Sequence, residues 1–487
     1  MTASAFILAF LPELVLCAGA LVLFFITLGR QRDRLARNAS IITALAVTAA
    51  AIVSLHQTTT LFSEAYRIDL FSQWLKLFFG VGYLCVLLLS GTLEDIRRDV
   101  RPEYFLLLSL TILGLLLVVS SVELIALILA LELSSYPLFL LVAMRRERAG
   151  QKTQMESAMK YMMFGVAANG VMLFGLSYLF GLTGTTMLPD MIARLGPLMT
   201  EVNPLAITGL ALALAGLYYK LAVFPFHFWT PDVYQGASNV TAGLVASLPK
   251  VAGVAVLVRM VAAATETNTA IAMILAVLAG ASMLYGNLAA LRQTDVKRLL
   301  GFSAVAHAGY SLMGFVALDA QGFAAALYYI CGYVFMVLAC FVVIARASRD
   351  GSNLAIDELA GLHKRSPLLA LTLIVGVFAL AGIPPFVGFM GKLTLLTAAL
   401  NKGFLVLVVF AVVNTAIAIY YYLRIVKEAF FRDPVEASPL ALDWPTRALC
   451  VILIAAIVAL GVKPSLMIDT IAESLAWLQP VTAAAAP

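Results

Sequence analysis

Charge is what this 487-residue sequence has least of: Asp, Glu, Lys and Arg make up 12% of it, against 62% hydrophobic residues. Soluble domains carry about 25% charged residues, so a chain this long and this apolar must have lipid as the solvent for most of its length. Histidine is scarce, with four copies. The five cysteines, Cys17, Cys85, Cys331, Cys340 and Cys450, each sit in an apolar run without C-x-x-C spacing, which excludes a cysteine zinc or redox motif and reads them as small buried hydrophobes. There is no Walker A sequence, no G-x-G-x-x-G after a strand and no bis-histidine haem pattern. No metal and no cofactor is therefore expected in the chain itself, and energy for any pumping has to arrive from neighbouring subunits or another ion gradient. The opening residues lack the basic start and small-residue exit of a cleaved signal peptide and read as a first permanent span.

What is present is a succession of apolar runs. A bilayer-crossing helix needs roughly 20 mostly apolar residues. That length predicts an all-α polytopic membrane protein with spans near 4–28, 39–56, 70–92, 103–120, 122–144, 155–181, 204–225, 238–262, 270–291, 300–318, 322–346, 367–400, 404–430 and 446–463, fourteen in all. Basic residues support the count. Loops after odd-numbered spans collect twenty-two of the 32 Lys and Arg, the opposite side five, including Arg259. By the positive-inside rule both termini then lie outside, on the periplasmic side of a bacterial inner membrane. The tail, with IDTIAESLAWLQ, reads as a possible interfacial helix followed by a loose end.

Five basic residues remain, and all are lysines within spans: Lys76, Lys160, Lys220, Lys250 and Lys392. An ionisable residue at the bilayer centre costs about 2.5–3.5 kcal/mol, so such residues mark ion pathways or proton relays. Lysine suits a relay because burial favours its neutral amine, letting it take and release a proton, which arginine cannot do. Lys76 is expected to snorkel to the outer interface, and Lys160 stands near the cytoplasmic end of its span. Lys250 is mid-span, directly after Pro249. Lys220 precedes a break carrying Pro225 and Pro231; Lys392 follows one carrying Pro384 and Pro385. Membranes tolerate irregular backbone only where protein buries it or it lines a hydrated cavity, so spans seven and twelve read as broken helices of an inverted-repeat transporter. The plain alternative is two kinked helices with incidental lysines. Glu132, mid-span, is the expected carboxylate partner, while Glu123 belongs at the interface. His307, within span ten, is placed to bridge lysine sites or to serve as a packing donor, and His227 lies in the break after span seven. His56 and His363 read as ordinary loop residues.

The stretches MESAMKYMMFGVAANGVMLFGLSYLFGLTGT, LALAGLYYKLAVFPFHFWTPDVYQGASNVTAGLVASLPKVAG, DVKRLLGFSAVAHAGYSLMGF and LALAGIPPFVGFMGKL together resemble the antiporter-like subunits of respiratory complex I, a family that also holds Mrp-type cation/proton antiporter subunits. The LPE at Leu11-Pro12-Glu13, AIDELAGLHKRSP and the lysine of GFMGK point to one subunit type within it. The resemblance implies an N-terminal three-helix segment (1–102), two inverted five-helix repeats (103–265 and 266–432) and a last helix with tail (433–487). By motif, Glu132, Lys220, Lys250 and Lys392 match the family's proton-translocating residues, and Lys160 falls on its MKY position. FGVAANG departs from the family's small, Ser-rich segment there. The resemblance further implies a subunit of an NADH:quinone oxidoreductase with flavin and iron–sulfur clusters, NADH and quinone held by other subunits. Partners of the M, K, A and J types and the lipid bilayer are implied too, but no nucleic acid. The competing readings are an Mrp-type antiporter subunit and a membrane-arm spacer whose charges are relics.

Overall fold

The computed structural model describes residues 3–29, 32–91, 93–146, 153–262, 264, 268–434 and 438–476. Arg30, Arg148, Lys152 and the end of the tail fall outside them. Long apolar stretches in lipid must satisfy every backbone N–H and C=O internally, and the chain does so with helices. The first part comprises α1 (Ala3–Ala9), α2 (Leu11–Thr27), α3 (Asp33–Ser54), α4 (Leu70–Ser90), α5 (Arg101–Ser120) and α6 (Leu124–Ala143). Next come α7 (Thr153–Thr183), α8 (Leu188–Thr200), α9 (Pro204–Ala213), α10 (Ala215–Leu221), α11 (Trp229–Gly236), α12 (Asn239–Ala246) and α13 (Leu248–Val261). Then follow α14 (Thr269–Leu291), α15 (Val296–Phe315), α16 (Ala320–Ala347), α17 (Leu362–Arg365), α18 (Pro367–Ala381) and α19 (Val387–Asn401). The chain closes with α20 (Leu405–Phe431), α21 (Trp444–Val462) and α22 (Ser465–Ser474).

Among the described residues eleven helical stretches are long and apolar enough to cross a membrane, or twelve if α1 and α2, bent by 75°, form one span. The expected count of fourteen is larger by α15, which carries much polar sequence, and by the α18–α19 pair, whose halves are short. Both expected breaks are present. Helix α10 stops at Leu221, with Ala222 in a left-handed conformation and Pro225 in the irregular segment that follows. Helix α18 stops at Ala381, capped by left-handed Gly382, and α19 resumes after Pro384 and Pro385. The expected span 238–262 is present as one crossing stretch, Asn239–Val261, with a local interruption inside it: Ser247 (φ −114°, ψ −94°) separates α12 from α13, with Pro249 in the first turn beyond. Sequence periodicity also gave no sign of the antiparallel hairpin of β1 (Thr59–Leu61) and β2 (Tyr66–Ile68), paired Thr59 with Ile68 and Leu61 with Tyr66.

Helices α12 and α13 are buried along their whole length, and α15 at every position except Arg298. Lipid-facing helices such as α7 and α20 surround them, with side chains such as Phe174 and Val409 exposed. Small residues allow this nesting. A Cβ at Gly114 of α5 would stand 2.3 Å from the Ser134 backbone nitrogen of α6. Gly114→Ala therefore forces the two helices apart, an overpacking cost of about 1–3 kcal/mol. The variant purified in detergent should melt at a lower temperature than the parent; an unchanged melting temperature would show that α6 does not depend on this approach.

Candidate functional site

A helix that ends inside a membrane protein leaves its last carbonyls without intrahelical donors, at the negative end of its dipole. The breaks at Leu221 and Ala381 create two such ends in the buried centre, and a lysine occupies each. Lys250 Nζ, from the turn after the Ser247 break, donates to the Leu221 carbonyl at 2.6 Å. Lys392 Nζ, from the second turn of α19, donates to the Leu380 and Ala381 carbonyls at 3.3 and 3.2 Å and lies 4.5 Å from the centre of the Tyr310 ring. Lys250 is 2% exposed and Lys392 5%. Lys220, the residue before Leu221, donates instead to the hydroxyls of Ser134 and Ser135 at 2.6 and 3.0 Å. An ammonium has three protons to donate, and these lysines meet one or two acceptors each.

His307 is held by hydroxyls of α16 and α20. Its Nδ1 lies 2.6 Å from the Tyr329 hydroxyl and its Nε2 3.0 Å from the Tyr422 hydroxyl, which in turn pairs with the Ser303 hydroxyl at 2.5 Å. One turn on, the Tyr310 hydroxyl reaches Thr415 at 2.9 Å and the Ala411 carbonyl at 3.1 Å. An imidazole between hydroxyls can accept on one nitrogen and donate from the other, as a proton conductor requires. The tyrosines were not singled out from the sequence; the signal available was polar aromatic side chains repeated within apolar runs, as in Tyr328-Tyr329 and Tyr421-Tyr422.

Other expected members sit elsewhere. Glu132 makes no ion pair with Lys220 among the described residues; Asn169 Nδ2 donates to its Oε1 at 2.5 Å. Asn169 belongs to FGVAANG, so the departure from the family pattern supplies the carboxylate's partner. Lys160 is not in the axis. It pairs within α7 with Glu156 (2.6 Å) and across to Asp232 of α11 (2.7 Å), and Asp232 also meets Arg298 of α15 at 2.5 Å. His227 is buried among Phe224, Phe228 and Tyr285, with no hydrogen-bond partner for either ring nitrogen among the described residues. Glu123 caps α6 through the Ala126 amide at 2.8 Å, as an interfacial residue should.

Four expectations need correction. Lys76 does not snorkel: it is wholly buried, 2.7 Å from Glu13. Lys297 and Arg259, assigned to loops, are buried in α15 and α13, where Lys297 donates to the Ala237 carbonyl at 2.9 Å and Arg259 to the Asp69 carboxylate at 3.3 Å. Cys17, unlike the other cysteines, is exposed on the bundle surface. His363 lies in the one-turn helix α17, stacked on Phe430, and not in a loop. No group of three or more His, Cys, Asp or Glu side chains suited to a metal ion occurs among the described residues.

Over residues 121–418 the chain matches the family described as NADH:quinone oxidoreductase/Mrp antiporter, TM. It is 62% identical to NADH-quinone oxidoreductase subunit N 2 of Opitutus terrae, covering 97% of this chain and 99% of that one. The chain belongs to the subunit N family of NADH-quinone oxidoreductases. A second subunit N 2, from Syntrophobacter fumaroxidans, is 41% identical over 96% of this chain and 98% of its own. Among solved structures, a chain of respiratory complex I from Thermus thermophilus with bound Aureothin is 30% identical with TM-score 0.81, over 94% of this chain and 98% of that chain. A chain of the Mrp complex from Dietzia superposes with TM-score 0.86 at 21% identity, covering 98% of each, and so shares the fold. Backbone shape therefore does not separate subunit N from its antiporter relatives; sequence does.

The Asn169 contact is a feature of this subunit N that can be tested. Asn169→Leu leaves the Glu132 carboxylate without its donor, a loss of about 1–3 kcal/mol. NADH-driven acidification of inverted membrane vesicles, followed by dye quenching, should slow while the amount of assembled complex stays the same. Wild-type quenching would show that Glu132 does not need this partner.

Proposed function

We infer that this chain is a proton-translocating membrane-arm subunit of an NADH:quinone oxidoreductase. Its proton passes along Glu132, Lys220, Lys250, His307 and Lys392, driven by redox chemistry in other subunits. The observation that carries the reading is the placement of Lys250 and Lys392 on the open carbonyls of broken helices in a chain 62% identical to a subunit N. Each lysine is held by neutral dipoles and not by a carboxylate, so gaining or losing one proton leaves no orphaned counter-ion behind. A proton entering at Lys220 needs only the neutral state of the next lysine to move on. Charge on adjacent sites keeps them from being loaded together, which gives the relay a direction once an outside charge change triggers it.

Fourteen crossings follow when the α1–α2 pair, α15 and the α18–α19 pair are each counted as a span, with inverted repeats at 103–265 and 266–432 and Pro225, Pro384 and Pro385 at the corresponding breaks. The basic loops then face the cytoplasm and both termini the periplasm. Flavin, iron–sulfur clusters, NADH and quinone belong to other subunits, and the neighbours in the membrane are of the M, K, A and J types. The superposition on the Mrp chain supports a second reading, an antiporter subunit driven by an ion gradient. Mild-detergent extraction of native membranes, followed by a native gel and mass spectrometry, separates the two. Co-migration with NADH dehydrogenase activity and iron–sulfur subunits is expected; co-migration with a few membrane subunits alone would move the assignment to an antiporter.

Lys250→Ala and Lys392→Ala should each assemble normally and lower the number of protons pumped per NADH oxidised in proteoliposomes. An unchanged ratio in both would remove the lysines from the pathway.

A further inference from the structure

Outside the lysine axis lies a second buried ionisable cluster, where the N-terminal segment meets α4. Glu13 of α2 and Lys76 of α4 are both 0% exposed, with Lys76 Nζ 2.7 Å from Glu13 Oε1. The same oxygen accepts from the Tyr66 hydroxyl of β2 at 2.6 Å. The other carboxylate oxygen, Glu13 Oε2, is buried with no hydrogen-bond partner among the described residues, as are Gln73 Oε1 and the Ser120 hydroxyl, and Lys76 Nζ, although an ion-pair distance from Oε1, is not aligned to donate to it. An acceptor oxygen of a wholly buried carboxylate that no protein donor reaches is costly, and it is a position at which a hydrogen can be added. A strut built only to hold two helices together has no need of that open position.

At the start of α4, six residues before Lys76 and outside hydrogen-bond contact with it, a second group of charges reaches α13. Asp69 caps α4 by accepting from the Ser72 amide at 2.8 Å and takes Arg259 on its carboxylate at 3.3 Å. Arg259 stands on α13, the helix of Lys250, nine residues further on or about 13 Å along the axis. Arg67 reaches Asp69 at 3.5 Å with a side chain 36% exposed, so this branch ends at the protein surface. The charged and titratable groups facing Glu13 and Lys76 are thus Tyr66 from β2, Asp69 from the cap of α4, Arg259 from α13 and Cys17 from the next turn of α2.

We propose that Glu13, paired with Lys76, is an additional proton-holding residue of the translocation reaction, a branch site whose occupancy follows the charge on α13. The inference rests on the translocation reading above. In the loading step the Lys76 ammonium, 2.7 Å from Glu13 Oε1, turns to align an N–H with that oxygen; the N–H bond breaks and an O–H bond forms on Glu13, leaving a neutral amine and a neutral acid. The amine then binds a proton, and release of the acid proton restores the starting pair.

The test uses the assembled complex in proteoliposomes, with protons pumped per NADH measured across a pH series and infrared difference spectra recorded between resting and NADH-reduced states. Glu13→Gln should keep NADH oxidation, lower pumping severalfold, shift its pH profile and remove a carboxylic-acid carbonyl band; Glu13→Asp should restore part of each. Wild-type pumping at every pH with an unchanged difference spectrum would overturn the proposal and leave a structural strut. Should Glu13→Gln not assemble, the Glu13→Gln/Lys76→Met pair, which removes both charges, decides. Lowered pumping in an assembled double variant supports the branch, and wild-type pumping overturns it. Lys250→Ala in the same preparation is the control: if it pumps normally, the translocation reading itself has failed, whatever Glu13 does.

Discussion

The structure turns on the meeting of a lysine ammonium with the open carbonyl end of a broken helix. In lipid, every backbone polar group needs a partner inside the protein, so a broken helix can stand in the membrane only if something takes its orphaned carbonyls. A buried lysine has the opposite need, for acceptors without bulk water. Leu221 with Lys250, and Leu380 and Ala381 with Lys392, answer both needs at once. Because the acceptors are dipoles and not anions, the contact survives loss of the proton far better than a salt bridge would. In the proposed relay, structure and transport draw on the same feature: the break that makes room for the lysine holds it by carbonyl dipoles and not by a fixed anion.

Burial by protein is the second half of this arrangement. Helices α12, α13 and α15 have almost no surface of their own, and the apolar faces of α7 and α20 stand between them and lipid. Polar side chains on α15, α16 and α20 therefore turn inward, towards one another, and hydroxyls of Tyr329, Tyr422 and Ser303 gather about His307. By contrast the Lys160–Asp232–Arg298 network sits nearer the surface, where fixed opposite charges fasten α7, α11 and α15 in place.

Most of the helices and both long breaks were legible in the amino-acid sequence, because the bilayer imposes a length on apolar runs and because proline and glycine mark where a helix must stop. Lys220, Lys250, Lys392 and His307 stood out for the same reason: a titratable group in an apolar run is costly enough to need an explanation. What escaped were features set by tertiary partners. The break at Ser247 was hidden inside an apolar run with only Pro249 as a sign. Glu132 was expected to seek a lysine and found Asn169 from α7. Lys76 had a plausible route to water by position alone, and only the folding of α2 against α4 shows that Glu13 meets it first. Pairings across distant segments are not encoded in local pattern, and charges near helix ends are where that matters most.

The central claim, that Lys250 works by changing its protonation and not by its charge, is tested most directly by Lys250→Arg in the intact complex reconstituted into proteoliposomes. Arginine keeps the positive charge and can donate to the Leu221 carbonyl, yet it does not release a proton in a protein. The account predicts normal assembly with fewer protons pumped per NADH oxidised. A wild-type proton-to-electron ratio in this variant would contradict it and make Lys250 a fixed structural cation.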